Sequence, residues 1–170
     1  MRGEVIGQLG SAIEKIRIDI AYGDKPGNSL IKINYPLLLD GDEPFQLNSY
    51  SAEFVISEKL HAATVFLEMN SRFKDYWDIY HLAMNFSFNA DALTQALKST
   101  FDNRATELRQ LDKVFLPSFK RSTVQADGWD RFQQGTHGHE RISFESLMDQ
   151  IEHFVLSPLK DAALHTWQPE

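Results

Sequence analysis

Short runs of alternating apolar and polar residues characterise the first third of the chain. Residues 16–20 place isoleucine at every second position, and residues 30–33 follow a similar pattern after the Pro26-Gly27-Asn28 turn. Residues 4–9 supply a further candidate strand. A period of two is typical of strands with one covered face. The pattern therefore predicts two or three strands, which are too few to close a sheet.

The apolar spacing becomes helical after residue 50. Ser51 is a suitable N-cap, and Glu53 lies in the first turn, where the helix dipole favours an acidic side chain. In a helix that starts there, one face carries the following residues: Val55, Lys59, Ala62, Ala63 and Phe66. The predicted apolar stripe of this helix therefore contains a lysine.

Helical patterns also account for most of the remaining chain. A second helix is expected from Asn70-Ser71 to about residue 84, a third over residues 90–101, a short one over residues 128–132 and a last one over residues 143–156. Strands followed by helices indicate an α+β fold. We accordingly expect a sheet region at residues 1–48 and a helical region at residues 49–170.

Composition and charge restrict the classes of function. The 170 residues are 42% hydrophobic and 24% charged, as in ordinary globular proteins, and none is a cysteine, which excludes disulfide bonds and thiolate zinc sites. Nothing resembles a signal peptide or a membrane span, so we expect a cytoplasmic protein. The formal net charge of -7 argues against a broad basic surface for nucleic acid. Any contact with RNA would have to be local.

A dense charged cluster follows in the second predicted helix. Asp75 and Asp78 are three residues apart, so their carboxylates point to one side, with Arg72 and Lys74 within a turn of them. Lys59, in the stripe of the preceding helix, needs a counter-ion, because an unpaired buried ammonium is too costly to keep. Asp75 or Asp78 is the nearest candidate. These charges could form a solvated face or a structural bridge, or they could hold a nucleotide phosphate.

Two other places carry side chains of the kinds that bind metals. Asp19 interrupts the apolar run of residues 16–20 and would face away from Ile18. It fits the polar side of an amphipathic strand, although a carboxylate is also a ligand that Mg²⁺ prefers. The tract His137-Gly138-His139-Glu140 lacks further ligands at a known spacing, so a polar loop is expected there. One aspartate alone does not make a metal site.

Three stretches, in this order, are similar to the motifs of one protein family. Residues 17–24 match a strand that ends in Asp-Ile-x-x-Gly-Asp, and Glu58-Lys59 begins a helical motif of the type Glu-Lys-x-x-Ala. Residues 72–78 match the signature Arg-x-Lys-Asp-x-x-Asp. By these motifs the chain resembles the AbiEii/AbiGii family of nucleotidyltransferase toxins. Two later stretches, residues 101–106 and 129–132, resemble the family's C-terminal pattern, so the similarity covers nearly the whole chain.

The resemblance implies a partial polymerase-beta-like nucleotidyltransferase sheet followed by a helical C-terminal region, with an NTP and Mg²⁺ as cofactors. On the family pattern, Asp19 would be a catalytic, metal-binding carboxylate. Lys59 would be a catalytic lysine that contacts phosphate, and Asp75 an essential acid. The supporting members of the nucleotide-binding pocket would be Arg72, Lys74 and Asp78.

Relatives of this kind are the toxins of two-gene toxin-antitoxin or phage-defence systems, which move a nucleotide from an NTP onto an acceptor such as tRNA. The resemblance thus implies a cognate antitoxin as a partner and no association with a membrane. Nothing before Asp19 resembles the family's Gly-Ser turn with its first aspartate pair. We therefore expect an incomplete active site that does not transfer a nucleotide by itself.

The alternative is a catalytically inactive, truncated remnant that acts as a binding or oligomerising module. A strand that begins almost at Met1 indicates a sheet edge without a neighbour. Because an unpaired edge recruits other strands, we expect self-association through that exposed edge on this interpretation.

Overall fold

The computed structural model describes residues 1–20, 30–37, 44–136, 141–160 and 166–167. Within these ranges, two β-hairpins precede a group of packed α-helices. The expected α+β fold is therefore confirmed. Three sequence motifs lie outside the described residues: Tyr22-Gly23-Asp24, Pro26-Gly27-Asn28 and His137-Gly138-His139-Glu140.

The first hairpin pairs β1 (Arg2–Leu9) with β2 (Ala12–Asp19) in antiparallel register. Its two-residue turn contains Gly10, whose φ of 60° is a left-handed conformation that glycine adopts without strain. Val5 lies opposite Ile16, so both side chains point to the same face of the hairpin. Both strands begin earlier than the alternating pattern predicted, because backbone pairing continues from the turn to the far end of β1.

A second hairpin consists of β3 (Leu30–Asn34) and β4 (Gln46–Tyr50), also antiparallel. Beyond the paired residues, the rings of Tyr35 and Phe45 stack with centroids 5.2 Å apart. The sequence pattern did not predict β4, because Leu47 is its one aliphatic residue. Within the described ranges, this end of the chain therefore has four strands rather than two or three.

Six α-helices make up most of the described chain after β4. They are α1 (Ala52–Phe66), α2 (Phe73–Asn85), α3 (Ala90–Asn103), α4 (Pro117–Lys120), α5 (Thr123–Gln134) and α6 (Phe144–Lys160). The remaining elements are two 3-10 segments, Leu67–Met69 and Leu108–Phe115, and a short pair of strands, β5 (Phe88–Asn89) and β6 (Thr166–Trp167). None of the helices in the described ranges has the length and apolar character needed to cross a membrane.

The predicted helices are confirmed with adjusted bounds. α1 begins after Ser51, whose Oγ accepts a hydrogen bond from the backbone N–H of Phe54 at 3.2 Å. α5 is longer than the short helix predicted around Gly128. Leu108–Phe115 and α4 were not predicted. Pro117 starts α4 because its missing N–H is harmless in the first turn of a helix.

The hydrophobic core lies in the helical region. Every buried apolar side chain of the described residues falls between Phe54 and Val155 in the sequence. Tyr76 of α2 and Trp129 of α5 are fully buried, and the indole N–H of Trp129 donates to the carbonyl of Ile142 at 2.8 Å. The apolar side chains of the first hairpin are exposed instead. The helices therefore bury their own core without the hairpin.

The buried face of α1 differs from the predicted apolar stripe, of which Ala63 alone is buried. Two hydroxyl residues of α1, Ser57 and Thr64, lie in the core. Their side chains donate to backbone carbonyls within α1, those of Phe54 and Leu60 respectively, each at 2.8 Å. Because these hydroxyls are hydrogen-bonded within α1, they can face the core. The buried face of α1 is therefore rotated from the face that the sequence predicted. This rotation leaves the predicted lysine at the edge of the core.

Gly128 of α5 packs so closely on Phe73 that a Cβ there would lie 2.2 Å from the Cζ of the ring. Alanine is ordinarily the better helix residue by about 1 kcal/mol. Here we expect Gly128→Ala to lower the free energy of unfolding by about 1–3 kcal/mol, as overpacking of a core does. Urea denaturation measures the effect.

Gly135→Ala is the matched control, because its Cβ would lie 3.5 Å from the nearest atom, the carbonyl oxygen of Phe132. It should leave the stability nearly unchanged. A Gly128→Ala protein as stable as the parent would show that the contact with Phe73 is not tight.

Candidate functional site

A cavity of about 530 Å³ opens along the side of α1 that faces away from the core. The α1 residues in its wall are Glu58, Lys59, His61, Ala62, Val65 and Phe66. The other lining residues are Arg72 and Asp75 near the start of α2 and Arg104 after α3. The cavity therefore lies where three helices meet, and its lining combines charged with apolar side chains.

Lys59 joins α1 to α2 through two ion pairs. Its Nζ lies 2.5 Å from Asp75 Oδ1 and 2.9 Å from Asp78 Oδ2. Both carboxylates reach it because a spacing of three places them on one side of α2. The Lys59 side chain is 20% exposed, so the bridge is partly sheltered from water. Both candidate counter-ions for this lysine are thus its neighbours.

The ion pairs favour the charged forms of Lys59 and Asp78. Burial lowers the pKa of Lys59, but hydrogen bonds to Asp75 and Asp78 outweigh that effect and leave the pKa above its ordinary value. Burial likewise raises the pKa of Asp78, but hydrogen bonds from Lys74 and Lys59 prevail and leave it below its ordinary value. At neutral pH, Lys59 is therefore an ammonium and Asp78 a carboxylate.

The other two cations of the predicted cluster, Lys74 and Arg72, lie in different positions. Lys74 Nζ is 2.7 Å from Asp78 Oδ2, but its side chain is 74% exposed and does not line the cavity. Arg72 lines the cavity, and its guanidinium lies 5.5 Å from the centre of the Phe66 ring, in a cation-π contact. The backbone N–H of Arg72 donates to Asn70 Oδ1 at 3.1 Å, which fixes the entry into α2.

Glu58 and Arg104 form a second ion pair in the cavity wall. Arg104 Nη2 donates to Glu58 Oε2, and its Nε lies 3.5 Å from Oε1, so the guanidinium meets the carboxylate as a fork. One turn further along α1, His61 Nε2 lies 3.0 Å from Thr106 Oγ1. Burial first, and then the charge of Arg104, lower the pKa of His61. Two polar contacts therefore tie the end of α3 to α1.

A tight turn after α3 places Arg104 and Thr106. Ala105 has a φ of 50°, and the backbone N–H of Thr106 donates to the carbonyl of Phe101 at 2.9 Å. This arrangement is the Schellman motif, in which the left-handed residue is usually glycine. An alanine there is strained by about 1–2 kcal/mol. Sequence reasoning gave Arg104 no role in the site, because 46 residues separate it from Glu58 and the local pattern does not indicate that the two meet.

A match to a family model covers most of the chain. Residues 3–150 match the nucleotidyl transferase AbiEii toxin of type IV toxin-antitoxin systems. The chain belongs to this family. The matched range includes every described residue that lines the cavity. The chain gave no match to a curated protein or to a solved structure.

Membership in the AbiEii family confirms the resemblance seen in the motifs. It makes the chain a nucleotidyltransferase-like toxin of a type IV toxin-antitoxin system. A toxin of this kind has an antitoxin as its partner, and a nucleotidyltransferase takes a nucleotide substrate and generally a divalent metal ion. The family therefore defines the class of ligand against which the cavity is judged.

Asp19, which the AbiEii pattern makes a metal-binding carboxylate, lies at the end of β2 and does not line the cavity. Its Oδ1 accepts a hydrogen bond from Arg2 Nε at 2.6 Å, and its side chain is 69% exposed. The structure therefore brings together Lys59, Asp75 and Arg72, with Lys74 and Asp78 behind them, but not Asp19.

The carboxylates of the described residues do not form a metal centre. Their oxygens suit Mg²⁺ chemically. In the part of the chain that the structure describes, however, no three histidine, cysteine or carboxylate side chains come together as metal ligands. Asp75 and Asp78 are bonded to Lys59, and Asp19 is bonded to Arg2. These residues as arranged do not fit the metal ion that the family implies.

We expect Lys59→Met to lower the free energy of unfolding by about 1–3 kcal/mol, because it removes the shared donor of two partly buried carboxylates. Lys74→Met, which removes an exposed partner of Asp78, should cost less than about 1 kcal/mol and serves as the control. Urea denaturation at neutral pH measures both changes.

The effect of Lys59→Met should depend on pH. The pKa of Asp78 is lower in the folded protein than its unfolded value of 3.8, so the ionised carboxylate stabilises the fold above pH 3.8. This stabilisation is lost as the pH falls through the folded pKa. The difference between parent and Lys59→Met should therefore shrink at about pH 3. An undiminished difference there would mean that Lys59 stabilises the fold by packing rather than by charge.

Proposed function

We propose that the cavity beside α1 binds the nucleoside triphosphate from which this AbiEii toxin takes a nucleotide. The observation that carries the proposal is the convergence of three cations, Lys59, Arg72 and Arg104, on one cavity of a chain with net charge -7. The cavity wall also contains two carboxylates, those of Glu58 and Asp75, so the wall carries one net positive charge. A local positive field in an acidic protein favours an anionic ligand.

The lining is charged at one end and apolar at the other, which matches the phosphates and the base of a nucleotide. Glu58 and Lys59 lie at one end of the α1 wall, and Val65 and Phe66 lie at the other. Phe66 is 41% exposed, and Arg72 lies beside its ring. A base stacked on an aromatic ring gains about 1–3 kcal/mol. We place the base at Phe66 and the phosphates toward Lys59, in a volume within the roughly 300–1,000 Å³ of small-molecule sites.

The roles of the family residues follow from their positions. Lys59 would donate to a phosphate oxygen, and Asp75, beside it in the wall, would act as the essential acid. Asp78 fixes Lys59, and Lys74 in turn neutralises Asp78. Arg72 would hold the base end. Asp19 does not line the cavity, so we assign no step of the reaction to it or to Mg²⁺.

We further propose an RNA acceptor such as tRNA, a cognate antitoxin and a cytoplasmic site of action. The net charge of -7 restricts the acceptor to a local contact, and the cations at the cavity provide one. These parts of the proposal rest on the AbiEii family rather than on the shape of the site.

The test is isothermal titration calorimetry with ATP, GTP, CTP and UTP, each with and without Mg²⁺. We expect at least one NTP to bind the parent, and Lys59→Ala to weaken its binding by about tenfold or more, as loss of a charged hydrogen bond does. Arg109→Ala is the control, since this exposed residue pairs with Glu107 and lies outside the cavity wall. Circular dichroism confirms folding, and the absence of binding by all four nucleotides would reject the proposal.

Exposed apolar side chains on the first hairpin favour a second role, as a binding or oligomerising module. Val5 and Ile16 share one face and are about half exposed. No described residue of either hairpin belongs to the buried core. The predicted regions 1–48 and 49–170 would therefore act as separate units, with their boundary at the end of β4, Tyr50, rather than at residue 48. A partner strand or a second copy would cover that face.

Sedimentation velocity tests this second role. We expect the parent to dimerise with rising concentration and Ile16→Lys to shift the population toward monomer. A parent that stays a single monomeric species throughout would contradict self-association.

A further inference from the structure

We propose that Arg104 is a further phosphate-binding residue of the cavity and that Glu58 holds its guanidinium until a phosphate takes its place. This inference rests on the proposed NTP site and adds to it a residue that the family motifs do not assign.

The lysine bridge alone is a poor attractor for an anion. Lys59 and Lys74 together balance the charges of Asp75 and Asp78, so these four residues have no net positive charge to attract an anion. A triphosphate that approached Lys59 would also approach Asp75, which lines the same wall. The negative charges of the triphosphate and of Asp75 repel each other. A further cation must therefore supply the attraction if the phosphates bind at this end of the cavity.

Arg104 has the chemistry and the access for that role. Its fork already binds the Glu58 carboxylate through Nη2 and Nε, and the same fork geometry binds phosphate. The Arg104 side chain is 42% exposed, against 20% for Lys59. Because an exposed ion pair is weak, a phosphate with more negative charge can displace Glu58.

The backbone around Arg104 is fixed, so that only its side chain has to move. Its N–H donates to the carbonyl of Thr100 at 3.2 Å, and Thr106 closes the turn on Phe101. Thr100 itself is anchored to α1, since its Oγ1 lies 2.7 Å from Ser57 Oγ in the core. Replacing Glu58 by a phosphate then requires only a rotation of the Arg104 side chain, while the end of α3 stays in place.

A double-mutant cycle tests the exchange, with binding of inorganic tripolyphosphate and of the tightest-binding NTP measured by calorimetry. We expect Arg104→Ala to weaken both ligands by about tenfold or more. Glu58→Gln should tighten both by about two- to fivefold, because it removes the carboxylate that competes with phosphate for the guanidinium. In the Arg104→Ala background, Glu58→Gln should have no effect.

Arg109→Ala is the matched control, because Arg109 is an exposed arginine paired with Glu107 and lies outside the cavity wall. Thermal melting confirms that each variant is folded.

The outcomes separate this inference from the proposed function. If the NTP binds the parent and depends on Lys59 but not on Arg104, the NTP site stands and the role of Arg104 is rejected. If Glu58→Gln tightens binding equally without Arg104, Glu58 acts through its charge alone and the exchange is rejected. If neither tripolyphosphate nor any NTP binds the parent, both proposals fail.

Discussion

The ammonium of Lys59 governs how α1 meets α2. A largely sheltered positive charge is stable only with partners, and Asp75 and Asp78 supply two at 2.5 and 2.9 Å. Their spacing requires the first turns of α2 to face α1, which brings Arg72 beside Phe66. The cavity wall is therefore a consequence of pairing one lysine, and the signature of residues 72–78 describes that pairing.

The same interaction limits what the site can do. Two carboxylates stabilise the fold but oppose a negatively charged ligand, so a nucleotide site here has to draw its positive charge from elsewhere. The end of α3 provides it through Arg104, in a turn that includes a left-handed alanine. Such local strain is kept where the surrounding structure fixes it, and here the contacts of Ser57 with Thr100 and of His61 with Thr106 do so.

Sequence reasoning succeeded where the signal was local. The Ser51 cap, the start of α1 and the shared side of Asp75 and Asp78 follow from spacing of a few residues, and each is present in the structure. The need of Lys59 for a counter-ion followed from the cost of an unpaired ammonium. The α+β fold and the pairing of Lys59 with Asp75 and Asp78 were therefore predictable.

The failures have physical causes that a local pattern does not contain. Ser57 and Thr64 were not predicted as core residues, because their hydroxyls become acceptable there only after bonding to the backbone of α1. The pair of Glu58 and Arg104 depends on the packing of α1 against α3. Asp19 was placed correctly on a strand, but its position in the sequence gave no information about its distance from the cavity.

The most direct test of a nucleotide site beside α1 is a ¹⁵N-labelled NMR titration of the protein with each NTP. The account predicts that amide shifts concentrate on α1 residues from Glu58 to Phe66 and on Arg104, with β1 and β2 unchanged. Shifts confined to the first hairpin or to α6, with none along α1, would contradict it.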